Sequence, residues 1–227
     1  MPLLPTVEHE TGPSPARSII WLHGLGADGH DFEPIVPELV APGWPPLRFV
    51  FPHAPTRPVT INGGMAMRAW YDILGVEIAS KQDAEGIRQS MAQVEALIAR
   101  EIERGVAAAS IMLVGFSQGG AIALSAGLRH RERLAGVVAL STYLPLHEAL
   151  ASERSAGNAA TPIFWGHGSA DPVVPITLGR MSRDWLRGLD YAVDWHEYAM
   201  AHQVCAEEIA ELRAWLESRD WLGRRDS

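Results

Sequence analysis

The chain has a single cysteine, Cys205, among its 227 residues, so it can form no internal disulfide and no cysteine array to hold a metal. The cytoplasm, a reducing compartment, is the expected setting. Positive charge is also scarce: 19 Lys and Arg stand against 27 Asp and Glu, a formal net charge of −8. That balance repels phosphate backbones and argues against nucleic acid as a partner. No apolar stretch approaches the roughly 18 residues that a membrane span requires. Met1 to Arg17 lacks the basic start and apolar run of a secretory signal. Stable membrane anchoring is therefore not expected. A weak G-x-G at Gly24 and Gly26 is not extended to G-x-G-x-x-G, so no nucleotide cofactor is implied.

What remains is a composition able to build a core, with 47% hydrophobic and 20% charged residues. The length suits one α/β domain, with residues 1–16 as an N-terminal extension. Short apolar runs rich in branched residues read as buried strands: Ser18 to Leu22, Leu47 to Phe51, Ser110 to Val114, Leu134 to Leu140, Pro162 to Trp165 and Tyr191 to Trp195. Between them Asp83 to Arg104 spaces Ile87, Met91, Val94, Leu97, Ile98 and Ile102 as one helix face ended by Gly105. Gln118 to Arg129 and Gln203 to Leu216 also read as helices. Strand and helix alternate, which predicts a mostly parallel central sheet with helices on both faces and a ligand site at the strands' carboxyl ends. The Gly- and Pro-rich stretch Pro52 to Tyr71 reads as a functional loop, and Ala151 to Ala160 as an ordinary surface connection.

Gly115-Phe116-Ser117-Gln118-Gly119 matches G-x-S-x-G. Alone that match is weak, but a strand leads straight into it and a small-residue helix leads out, the setting of a nucleophile elbow. A serine hydroxyl needs a general base, and the base needs an acid that fixes its tautomer. On this fold the order is serine, acid, histidine. Among the histidines after Ser117, His130 ends a helix among arginines, His167 precedes the candidate acid and His196 lies in a strand pattern. His202, in a loop before a helix, is the expected base. Asp171, in the turn after the strand ending at Trp165, is the expected acid. The oxyanion of acyl transfer requires preorganised N–H donors. These are assigned to the amides of Gln118 and of Leu25 in the loop Leu22-His23-Gly24-Leu25-Gly26, with His23 ordering that loop. Ile61, Met65, Trp70, Tyr143 and Val173 are the candidates for lining an acyl groove. Trp215 and Trp221 offer a homodimer interface, although packing within the monomer is the commoner use of such residues.

With these residues placed, the sequence resembles the phospholipase/carboxylesterase family of α/β-hydrolases, which includes the acyl-protein thioesterases. The matching stretches are Leu22 to Phe32, Phe51 to Thr60, Trp70 to Ile73, Gly115 to Gly120, Gly166 to Gly168 with Asp171 to Pro175, and Tyr198 to His202. Ala201 departs from the Gly usual in relatives, and Tyr143 from their frequent Trp. The resemblance implies a carboxylic-ester hydrolase acting on small-molecule esters of short to medium acyl chain through Ser117, Asp171 and His202. A thioesterase or lysophospholipase is the alternative. A non-catalytic member of the fold would lack a member of this trio, and none is missing.

Overall fold

The computed structural model describes residues 3–75 and 81–223, apart from the side chain of Asp220. Among the described residues the chain builds a seven-stranded sheet and a separate two-stranded hairpin. The strands are β1 (Thr6–Glu10), β2 (Arg17–Leu22), β3 (Leu47–Pro52), β4 (Thr56–Val59), β5 (Met65–Arg68), β6 (Ile111–Phe116), β7 (Gly136–Leu140), β8 (Ile163–Gly168) and β9 (Val193–Tyr198). The helices are α1 (Val36–Leu39), α2 (Ala84–Glu103), α3 (Gln118–Gly127), α4 (His147–Glu153), α5 (Ile176–Gly188) and α6 (Ala206–Glu217). The sheet runs β1-β3-β2-β6-β7-β8-β9, parallel throughout except for β1, which pairs antiparallel with β3.

The continuous apolar runs are buried on both faces because successive side chains point to opposite sides of the sheet. Ile20, Leu22, Leu113, Ala139 and Trp165 face one core with α2, α3 and residues of α4 and α5. Their neighbours Ile19, Trp21, Met112, Val138 and Phe164 face a second core with α1 and α6. The chain order reverses between β2 and β6, where Leu22 lies opposite Gly115. Such a reversal point opens a crevice at the carboxyl ends of the strands, and the loop carrying Leu25 and the turn at Ser117 both leave the sheet there.

Several elements differ from the reading of the sequence. The N-terminal extension contributes the charged edge strand β1, whose Glu8 pairs with Arg100 at 2.9 Å and with Arg104 at 2.8 Å. The stretch Pro52 to Tyr71 is ordered by β4 and β5, which turn through Gly63 and Gly64 at φ +67° and +79°. α4 runs into the stretch assigned to a surface connection. Trp215 is buried against Phe164, and half-buried Trp221 donates to the Ser110 carbonyl at 3.1 Å. Both tryptophans are therefore used within the monomer. No described helix is long and apolar enough to cross a membrane.

Two buried carboxyls show how differently this fold treats charge. On α2, Glu101 rather than Ile102 faces inward: Glu101 is fully buried and Ile102 is exposed. The Glu101 carboxylate accepts from Ser18 Oγ and Arg48 Nη1, both at 2.9 Å, and from Arg104 Nη1 at 3.0 Å, tying the helix to β2 and β3. Glu208 of α6 is equally buried, but neither of its oxygens has a hydrogen-bond partner in bonding geometry. Burial pushes Glu208 up to about 8, with the Cys205 amide opposing and Glu211 adding to the rise.

Removing one partner of a buried ionic network leaves the others uncompensated. Glu101→Ala should therefore lower the unfolding free energy by about 3 kcal/mol, read from the urea midpoint. A loss under about 1 kcal/mol would show that Arg48 is satisfied by Glu10 alone. For Glu208 the sign is the opposite of a salt-bridged acid. Its folded-state affinity for a proton exceeds that of the unfolded chain, so its contribution is fully present below pH 4.5 and is lost as pH rises toward about 8. Glu208→Gln should gain on the wild type across that window, by on the order of 5 kcal/mol. An equal difference between variant and wild type at pH 4 and at pH 9, on either side of that window, would refute this account of Glu208.

Candidate active site

Ser117 sits between the end of β6 and the first residue of α3, with φ 52° and ψ −120°. A non-glycine residue with positive φ is strained and persists only where its surroundings hold it. Here its amide donates to the Leu140 carbonyl at 2.9 Å, and its carbonyl accepts from Thr142 Oγ1 at 2.6 Å. The turn closes only with glycine beside it. A Cβ at Gly115 would strike the Gly119 carbonyl, and one at Gly119 would strike the carbonyl of Leu22 and stand 2.5 Å from that of His23. The elbow therefore packs backbone to backbone against the end of β2.

Ser117 Oγ lies 2.8 Å from His202 Nε2, and His202 Nδ1 lies 2.7 Å from Asp171 Oδ2. The carboxylate makes Nδ1 the proton carrier and leaves Nε2 free to accept from the serine hydroxyl. Asp171 Oδ1 accepts from the amides of Val173 and Val174, both at 2.8 Å. The loops carrying acid and base are joined: Ser169 N donates to Tyr198 O at 2.8 Å and Ala170 N to Met200 O at 3.1 Å. Gly168 permits this approach, since a Cβ there would stand 2.5 Å from the Met200 carbonyl. Ala201 is exposed, so its methyl does not crowd that junction. β9 extends to Tyr198 and α6 begins only at Ala206, which leaves His202 in the loop between them.

The loop after β2 comes close to the serine: a Cβ at Gly24 would stand 3.6 Å from Ser117 Cβ. Its shape is fixed by His23, which is buried and held neutral because burial disfavours its charged form. Nδ1 donates to the Gly24 carbonyl at 2.7 Å and Nε2 accepts from Ala54 N at 3.0 Å. The Gly26 amide is taken by the Arg68 carbonyl at 2.8 Å, whereas the Leu25 amide has no backbone partner among the described hydrogen bonds. Gln118 is the first residue of α3, where the amide has no acceptor within the helix. Its side chain spans to the neighbouring segment, accepting from Trp70 N and donating to Tyr71 O, both at 2.7 Å.

The residues assigned to an acyl groove divide. Ile61, Met65 and Val173 are exposed, at 41%, 64% and 58%. Trp70 and Tyr143 are buried and require correction. Trp70 packs on His23, donates from Nε1 to its carbonyl at 2.9 Å and accepts from Ser90 Oγ, so it supports the loop after β2 from within the core. Its volume and its indole N–H suit it to that place better than an open groove. Tyr143 meets Tyr71 hydroxyl to hydroxyl at 3.0 Å and borders a small cavity of about 70 Å³ with Leu144 and Leu178. Sequence reasoning missed a groove of about 430 Å³ that starts at His202 and runs along Phe32, Ile35, Phe116, Val204 and Ile209. Its walls come from α1 with the turn before it, the end of β6, the loop after β9 and α6, which no local pattern brings together.

The comparisons with known proteins agree with this architecture. A profile of the phospholipase/carboxylesterase family matches residues 5–219. Acyl-protein thioesterase 1 of Yarrowia lipolytica is 38% identical over 222 residues, covering 96% of this chain and 98% of that protein. Among solved structures, Arabidopsis thaliana SOBER1 superposes with a TM-score of 0.84 at 29% identity, over 89% of this chain and 98% of its own. Zea mays acyl-protein thioesterase 2 gives 0.81 at 29% identity, over 96% and 99%. On the match of nearly its whole length, this chain belongs to the phospholipase/carboxylesterase family of α/β-hydrolases and is a hydrolase.

Proposed function

We propose that this hydrolase cleaves carboxylic esters through an acyl-enzyme on Ser117, with His202 as general base and Asp171 as its orienting acid. The observation that carries the reading is the unbroken relay from Ser117 Oγ through His202 to Asp171, at 2.8 and 2.7 Å. His202 takes the serine proton as Oγ attacks the ester carbonyl, and the charge it gains is stabilised by Asp171. The amides of Leu25 and Gln118 receive the developing oxyanion. His202 then protonates the leaving alcohol, and water repeats the sequence on the acyl-enzyme. The leaving group must pass His202 Nε2, which favours the groove beside Phe116 for its exit. Exposed Ile61 and Met65 of the hairpin, together with Val173, suit the acyl side. Short to medium acyl chains and small alcohols are the proposed substrates, and the lone cysteine, Cys205, fits action in the reducing cytoplasm.

A second reading takes thioesters of acylated proteins as substrates. It is favoured by the 38% identity to an acyl-protein thioesterase across 96% of this chain.

Hydrolysis of p-nitrophenyl esters of rising acyl length, alongside thioesters of the same acyl groups, separates these readings. Ser117→Ala should lose at least about 10⁴-fold in kcat, and Asp171→Asn on the order of 10⁴-fold through the wrong histidine tautomer. An organophosphonate should label Ser117, as mapped by mass spectrometry. Equal activity of wild type and Ser117→Ala, or an adduct on another residue, would overturn the site. Turnover confined to thioesters would replace the first reading with the second.

A further inference from the structure

One buried titratable side chain beside the site has no part in the chemistry above. His167, near the end of β8, is fully buried. Its Nε2 lies 2.9 Å from the Val174 carbonyl, which can only accept, so Nε2 carries the ring proton. Its Nδ1 has no partner and faces α5 at Gly179, where a Cβ would stand 2.7 Å from it. A charged imidazole would place a second N–H against that helix with no acceptor to receive it. The ring is also stacked on Trp195, with centroids 6.0 Å apart. Burial holds the group below the ordinary histidine range.

Val174 thus serves two bonds. Its carbonyl is held by His167 Nε2, and its amide, with that of Val173, is aimed at Asp171 Oδ1. The same Nε2 stands 3.7 Å from Asp171 Oδ2, the oxygen bonded to His202. That separation exceeds a hydrogen bond but leaves the N–H dipole acting on the carboxylate. The other charged groups packed around the ring are Glu197 on β9, paired with Arg180 of α5 at 2.6 Å, and Arg183, which lies over Trp195.

We propose that His167 is a positioning residue. As a neutral imidazole protonated on Nε2, it pins the turn that presents Asp171 and moderates the pull of that carboxylate on His202. This rests on the reading of Ser117, His202 and Asp171 as the working trio. A protonated His167 would compete with His202 for Asp171, and the bare Nδ1 set against α5 prevents that. Losing the Nε2–H removes a positive dipole from Asp171 Oδ2 and frees two amides from Oδ1. Both changes strengthen the attraction of the carboxylate for a charged His202.

The test compares His167→Leu with His167→Gln, whose amide nitrogen can reach the place of Nε2. His167→Leu should lower kcat by about tenfold, the rate equivalent of one net hydrogen bond, with KM changed by less than about threefold. The acid limb of its kcat/KM profile should move to higher pH. His167→Gln should restore kcat to within about threefold and return the limb to its wild-type position. A folded Leu variant with unchanged kcat and acid limb would overturn the proposal. So would a folded Gln variant as impaired as Leu, since ring packing rather than the N–H would then be what counts. Should the Leu variant fail to fold, the ¹⁵N spectrum of wild-type His167 decides between the two. A proton on Nε2 and a bare Nδ1 are expected at neutral pH, and an imidazolium or an Nδ1–H tautomer there would refute the assignment. Failure of the phosphonate to label wild-type Ser117 would instead remove the hydrolase mechanism on which the proposal builds.

Discussion

The close contact of three backbones at the carboxyl end of the sheet is the constraint on which the site depends. The turn at Ser117 lies directly against the end of β2, so closely that Gly119 has no room for a methyl beside the carbonyls of Leu22 and His23. This contact places the loop carrying Leu25 beside the serine, and it exists because the sheet reverses its winding between β2 and β6. The positive φ of Ser117 is a local cost on the order of 1–3 kcal/mol. The bonds to Leu140 and from Thr142 offset it on the β7 side.

A second layer holds that arrangement from behind, and it is made of side chains bonding to backbone. Gln118 bridges Trp70 and Tyr71, Trp70 bonds to the His23 carbonyl, and His23 joins Gly24 to Ala54. Each buried polar atom in this chain of contacts is used, which is what a low-dielectric interior demands of a group kept there. On the opposite side of the serine, the Asp171 turn and the His202 loop are sewn together through Ser169 and Ala170. Ser117, His202 and Asp171 are thus supported from both sides by segments far apart in sequence. That explains how a short relay can be precise although two of its three members come from loops.

The sheet, and the meeting of Ser117, His202 and Asp171 beyond its strand ends, were legible for the same reason. Buried parallel strands are unbroken apolar runs, and the strand that ends at Gly115-Phe116-Ser117 is followed at once by small residues. Pattern failed where local sequence and environment part company. Thr6 to Glu10 is polar because it is an edge strand with a charged outer side, so it lacks the apolar signature of a buried one. Glu101 reads as part of the solvent face of α2, yet it turns inward because three arginines and Ser18 surround it. Trp70 and Tyr143 were placed on an acyl surface by their size and apolar character. Neither property distinguishes a groove from the packing beneath a loop. The groove beside His202 was hidden because its walls converge from four separate elements.

The histidines around the site complete the argument about charge. His23, His167 and His202 all lie near Ser117 or Asp171, yet they differ in what an added proton would meet. His23 and His167 are each buried, and each gives its proton to a backbone carbonyl, Gly24 in one case and Val174 in the other. Protonating His23 would convert the acceptor of the Ala54 amide into a donor facing a donor. Protonating His167 would point an N–H at a helix with no acceptor. His202 is only half-buried, has a carboxylate on Nδ1, and meets on Nε2 a hydroxyl that can reverse its role. The two neutral histidines therefore shape the backbone on either side, and the hydrogen bonds of His202 alone are compatible with a change of its charge.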